Sequence, residues 1–202
     1  MEIKDKVMYH YHRLSIHDDS WKSGNILTVD SSFDSHFSSI LKKFGTDVIT
    51  ADQSRQSFDR IIKYYIEEMN PDREMLIKLL TAAREIIRYA NIYKREFALE
   101  EYRKIHYPHL PSRKHSIWVA DKKQIEFWRT QFENSELELF QISLTGTLFK
   151  SSDKFIPDDE LDIEESMQAA EKYWNPIFTT EEEENKAEFL FQGKVKILEK
   201  IK

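Results

Sequence analysis

A small set of residues in a fixed order carries most of the chemistry this chain can offer. His12 stands in Tyr11-His12-Arg13-Leu14-Ser15, and Thr28 follows in Ile26-Leu27-Thr28. Trp118 stands in Ile117-Trp118-Val119-Ala120, just after Arg113-Lys114. Asp153 comes soon after Leu144-Thr145-Gly146, and Glu188 opens the last apolar segment. A polar strand residue, then an aromatic strand residue, then a carboxylate can form a pocket for a flat, cationic leaving group beside a sugar. The aromatic stacks the cation, and the carboxylate stabilises the positive charge that develops on the sugar as the bond breaks.

Each residue also has an ordinary role. His12 shares an alternating strand face with Met8, His10 and Leu14, where a histidine is most often a core residue satisfied by its neighbours. Trp118 suits an apolar core, Asp153 a turn, and Glu188 a strand surface. His10-x-His12 and His106-x-x-His109 lack carboxylates at ligand spacing, so no metal centre is expected. Four scattered glycines provide no phosphate-cradling loop, and no serine-nucleophile motif is present.

The elements that must position these residues follow from periodicity. Residues 7–14 alternate as a strand, and Ile26–Val29 is a short extended piece. A short helix is expected near residues 37–44. Phe58, Ile61, Ile62, Tyr65, Ile66 and Met69 recur at helical spacing. After the break at Asn70-Pro71-Asp72 the same period runs from Met75 through Ala90 and on toward Tyr102, giving a helical hairpin. Ile117–Ala120 and Leu137–Leu144 read as strands, Lys122–Phe132 and Ile163–Trp174 as helices. Residues 188–201 read as two strands, or as one bent at Gly193.

At 202 residues the chain fits one domain, here 1–202 with a helical insertion at about 54–105. It contains no cysteine, which excludes thiolate catalysis and disulfides and points to the cytoplasm. No membrane association is expected, since no apolar run reaches spanning length. The net charge of −6 argues against a general nucleic-acid coat. It is uneven: residues 103–115 carry two Arg, two Lys and three His without an acid, whereas residues 157–184 are acid-rich.

Taken together, the Tyr11-His12-Arg13, Ile26-Leu27-Thr28, Ile117-Trp118-Val119-Ala120, Trp128, Leu144-Thr145-Gly146, Ser152-Asp153 and Glu188–Leu198 blocks resemble the ADP-ribosyltransferase superfamily, in particular its small rifampin-modifying type. Tyr-His-Arg-Leu-Ser and Leu110-Pro111-Ser112-Arg113 also resemble the marks of an uncharacterised bacterial domain-of-unknown-function family. Three positions depart from the transferase pattern. Arg13 replaces the glycine usual after the histidine, Trp118 replaces a tyrosine, and only Ala187-Glu188 stands where a Gln/Glu-x-Glu is usual.

The resemblance implies an α+β fold with a split, mostly antiparallel sheet of ADP-ribosyltransferase type and a helical hairpin insertion. It implies mono-ADP-ribosyl transfer from NAD, as substrate, to an unknown acceptor: a protein, a nucleic acid or a small molecule. A toxin or phage-defence role would fit. Asp153 or Glu188 is then the catalytic carboxylate, and His12, Arg13, Thr28, Trp118 and Arg113 bind the NAD. The alternative is a non-catalytic interaction protein that meets a protein partner through the helical insertion.

Overall fold

The computed structural model describes residues 1–13, 19–35, 38, 47–49, 55–132 and 137–201. The helix expected near 37–44 lies outside the described residues apart from Ser38. The chain divides into two compact units, one of Met1–Ser39 with Arg95–Lys202 and the other of Ile40–Lys94.

The first unit is built on strands β1 (Glu2–His12), β2 (Ile26–Val29), β5 (Ile117–Val119), β6 (Glu138–Ser152) and β7 (Ala187–Ile201), in the order β1-β6-β7-β2 with β5 also on β7. Every pairing among them is antiparallel. The sheet curls until Tyr9 of β1 meets Ala120, just past β5, through paired backbone hydrogen bonds of 2.9 and 2.8 Å. The ring β1–β6–β7–β5 is thereby closed. Inside lie Met8, Ile117, Val119, Phe140, Ile142, Leu148, Phe189 and Phe191, all nearly inaccessible to solvent. The outer face of β5, β6 and β7 packs Phe149 and Leu190 against Leu99, Ala170, Tyr173 and Trp174.

β6 runs 15 residues, well past the expected Leu137–Leu144, and β7, also 15 residues, is the single-strand alternative for 188–201. Leu144-Thr145-Gly146 does not end β6, and Gly193 does not divide β7. The reason is that the two glycines face each other across the ladder. A Cβ on Gly146 would stand 2.4 Å from the Gln192 carbonyl oxygen and 2.8 Å from the Gly193 Cα, and their φ values are +149° and +141°. The backbones can approach this closely only without side chains. At this point β7 also changes edge partner, from β5 at Phe189–Phe191 to β2 at Gly193–Lys196. Gly146→Ala is therefore expected to cost about 2 kcal/mol or more, from backbone strain alone. Urea unfolding of the variant checks this; a midpoint equal to wild type would mean the ladder relaxes freely.

The helices of this unit follow local rules. Helix α4 (Ile163–Trp174) opens on a capping box, in which the Asp162 side chain accepts from the Glu165 N–H and Glu165 returns the bond. The short helix α5 (Glu181–Asn185) opens the same way from Thr180 and Glu183. Helix α3 (Ile125–Gln131) is shorter than the expected 122–132, and the Trp128 Nε1 donates to the Ala187 carbonyl at 3.1 Å.

The second unit contains a two-stranded pairing, β3 (Asp47–Ile49) with β4 (Arg55–Ser57), and helix α1 (Phe58–Glu67), capped by the Ser57 hydroxyl. Helix α2 (Arg73–His106) begins in this unit and continues past Lys94 into the first. Its residues before Arg95 leave Leu76, Ile77, Leu80 and Ile87 exposed, whereas Glu96, Ala98, Leu99 and Glu100 are buried. No helix among the described residues is long and apolar enough to cross a membrane.

Candidate functional site

The outer face of the curled sheet carries a buried cluster of arginine and glutamate side chains. Register places Trp118 opposite Leu190 and Ser151 opposite Glu188, so Trp118, Leu190 and Glu188 line one face. Onto this face the turn Arg113–His115 delivers Arg113, only 1% exposed. Its Nε donates to Glu96 Oε2 at 2.7 Å and its Nη2 to Glu96 Oε1 at 3.0 Å, a two-point clamp. Its Nη1 donates to Glu188 at 2.5 Å and also meets the Tyr173 hydroxyl. Tyr173 in turn donates to Glu188. The guanidinium lies 4.8 Å from the centre of the Tyr173 ring and 5.3 Å from that of Trp118.

Glu100, one turn from Glu96, accepts from the Arg113 backbone N–H and the Ser112 hydroxyl, both at 2.7 Å, and pairs with Arg103. Arg95 lies 3.9 Å from Glu96. Three carboxylates, Glu96, Glu100 and Glu188, thus meet three guanidiniums, Arg95, Arg103 and Arg113. Burial alone would favour a neutral Arg113, but the carboxylates of Glu96 and Glu188 outweigh it and raise its pKa well above the ordinary value. Burial likewise raises the Tyr173 pKa well above the phenol range, against the pull of Arg113. Tyr173 therefore stays protonated and can keep donating to Glu188.

Asp153 follows β6 directly, in the turn Asp153–Phe155. It is solvent-exposed, yet partial desolvation of its carboxyl and the charge of Glu188 raise its pKa, while Arg95, Arg113 and Lys186 pull it down. With Arg95, Asp158, Asp159 and Glu160 it lines an open concavity of about 540 Å³.

The sequence-selected residues are thus divided. Trp118, Arg113 and Glu188 are brought together, with Asp153 in their electrostatic field. His12 lies on the inner side of the sheet, stacked on Trp21 at 4.2 Å and edge-on to Phe140. His10 stacks on the same Trp21, and its Nδ1 donates to the Trp118 carbonyl at 2.7 Å. His12 is thus joined to the Trp118 strand through His10 and the backbone, on the face opposite the indole. Arg13 and Thr28 are exposed at the end of β1 and on β2. Arg113, expected to bind the NAD, is buried and each of its three guanidinium nitrogens donates to a protein group. The cause is the carboxylate pair on α2 together with Glu188.

Sequence reasoning missed Glu96, Glu100 and Tyr173. A signal existed: Glu96, Glu100 and Arg103 recur at i, i+4 and i+7, a charged stripe on one helix face beside Ala98 and Leu99. No group of metal-ligating side chains occurs among the described residues.

The fold is a mixed α/β one with a mostly antiparallel, curled sheet carrying an internal ion cluster. The chain belongs to the family described as Protein of unknown function (DUF2441), whose model matches residues 8–202. No curated protein matches it.

Proposed function

We propose that the chain is an ADP-ribosyltransferase-like protein that uses NAD to modify an acceptor, on a sheet of that superfamily's type. The observation that carries this reading is that Trp118 and Glu188 share one face of the sheet while the Asp153 carboxyl, in the turn after β6, feels the charge of Glu188. Cleavage of the nicotinamide–ribose bond builds positive charge on the sugar, and a carboxylate near that charge acts mainly in the transition state. Glu188 is committed to Arg113 and Tyr173, which leaves Asp153 as the carboxylate open to a ligand.

A second reading has its own support. Arg113 already lies against the Trp118 ring, where a nicotinamide cation would stack, and it neutralises Glu188. This favours a non-catalytic interaction protein on the same fold. Calorimetric titration with NAD, followed by mass spectrometry for released nicotinamide, separates the two. Binding with release supports the transferase; no binding at millimolar NAD supports the interaction protein. For the transferase, Asp153→Ala is expected to lower turnover at least about 100-fold with little change in NAD affinity or melting temperature. Glu188→Ala is expected to destabilise the fold as well, because it strips a buried partner from Arg113.

A further inference from the structure

We propose that the concavity beside the segment Tyr107–His115 is a binding site for the phosphate or diphosphate group of a small molecule. It encloses about 440 Å³, within the range of small-molecule pockets. Its lining includes Arg103, Lys104, His109, Lys114 and His115, in a chain whose net charge is −6. A positive hollow on an acidic protein focuses the field for an anionic ligand.

The wall is braced without regular secondary structure. Arg103 Nη1 donates to the Pro108 and Leu110 carbonyls at 3.3 and 3.1 Å. Glu100 holds Ser112 and the Arg113 N–H. The Ser35 N–H and hydroxyl donate to the Lys114 and Arg113 carbonyls at 3.1 and 2.9 Å. Gln192 donates to the His115 carbonyl at 3.2 Å, and His115 Nδ1 donates to the Phe33 carbonyl at 2.8 Å. Glu100 and Arg103 therefore serve the wall, as does the backbone of Arg113, Lys114 and His115.

The cations on this frame are less committed. Lys104 pairs with Glu101, an exposed contact of the kind a phosphate can displace. The Lys114 ammonium and the His109 ring have no carboxylate against them among the described residues. Glu100, the carboxylate in the lining, already accepts from Ser112, Arg113 and Arg103. A braced, basic concavity loses little freedom when an anion enters; charge-assisted bonds from Lys104 and Lys114, with a ring N–H of His109 beside them, favour phosphate oxygens.

The site does not depend on the proposed transferase activity. Pyrophosphate binding here without NAD cleavage would leave it standing. The test is calorimetric titration of the whole chain with inorganic pyrophosphate, with ADP and with a single-stranded oligothymidylate. Wild type is expected to bind pyrophosphate, and ADP at least as tightly. Lys114→Gln and His109→Gln are each expected to weaken pyrophosphate about tenfold, with unchanged circular-dichroism melting. Lys154→Gln, away from this pocket, is expected to leave the affinity alone. Absence of pyrophosphate binding at millimolar concentration overturns the proposal. So does wild-type affinity in the Lys114→Gln/His109→Gln double variant. Binding of the oligonucleotide far tighter than ADP also overturns it, in favour of a nucleic-acid surface.

Discussion

Replacing Arg113 by methionine is expected to lower the stability of the first unit by about 3–5 kcal/mol, the usual consequence of leaving buried carboxylates without their counter-ion. Glu96 and Glu188 are 1% and 4% exposed, and this one guanidinium bonds both, with Arg95 at 3.9 Å from Glu96 and the Tyr173 hydroxyl on Glu188 as their other partners. Methionine fills much of the volume, so the loss is electrostatic and not a cavity effect. For a chain of this size the melting temperature should fall by roughly 10 °C. Arg113→Lys should recover little, because one ammonium cannot reproduce the two-point clamp on Glu96 while also reaching Glu188 and Tyr173. A triple variant discriminates further. Adding Glu96→Gln and Glu188→Gln to Arg113→Met removes the orphaned charges, and much of the stability should return. If the triple variant is no more stable than Arg113→Met, the network is held by packing and the charge argument fails.

That network also explains why part of the site was hidden from sequence reading. Strand and helix identities depend on periodicity, and Ile26–Val29, Ile163–Trp174 and the alternation of Met8, His10 and His12 were legible for that reason. The continuation of β6 through Gly146 was not. A glycine reads as a strand end unless its partner is known, and Gly193 lies 47 positions away. Arg113 shows the same limit for charge. A run with two Arg, two Lys and three His suggests a solvated rim, and its neighbours Lys114 and His109 do line an open pocket. Whether an individual arginine faces water depends on which carboxylates the tertiary fold delivers to it, here Glu96 from a helix and Glu188 from the last strand. The order His12, Trp118, Asp153, Glu188 suggested a pocket; three of these residues lie on one sheet, and Asp153 lies in the turn after β6. That order carried no information on which face each residue takes once that sheet has curled.

The inner face makes its own prediction. Burial lowers the His10 pKa from 6.5 to about 4, with the Trp118 carbonyl opposing and His12 adding to the shift. A carbonyl can only accept, so His10 keeps its proton on Nδ1 and is neutral when folded at pH 7. As pH falls below 6.5 the unfolded chain takes up a proton that the folded chain refuses until about pH 4. His10 thus imposes no penalty above pH 6.5. Across the window from 6.5 to about 4 it withdraws stability, roughly 3 kcal/mol in all. Below that window the folded form is protonated as well, and its contribution stops changing. Urea unfolding at pH 7, 6, 5 and 4 tests this against His10→Gln, whose amide can still donate to the Trp118 carbonyl but cannot titrate. The variant should lose less stability than wild type between pH 6 and 4, whatever its stability at pH 7, since the carboxylates contribute equally to both. Parallel pH profiles would mean that His10 protonates within the fold without cost. In that event the stack of His10 and His12 on Trp21 would have to open or admit water in mild acid, and the inner end of β1 would be the soft point of the sheet.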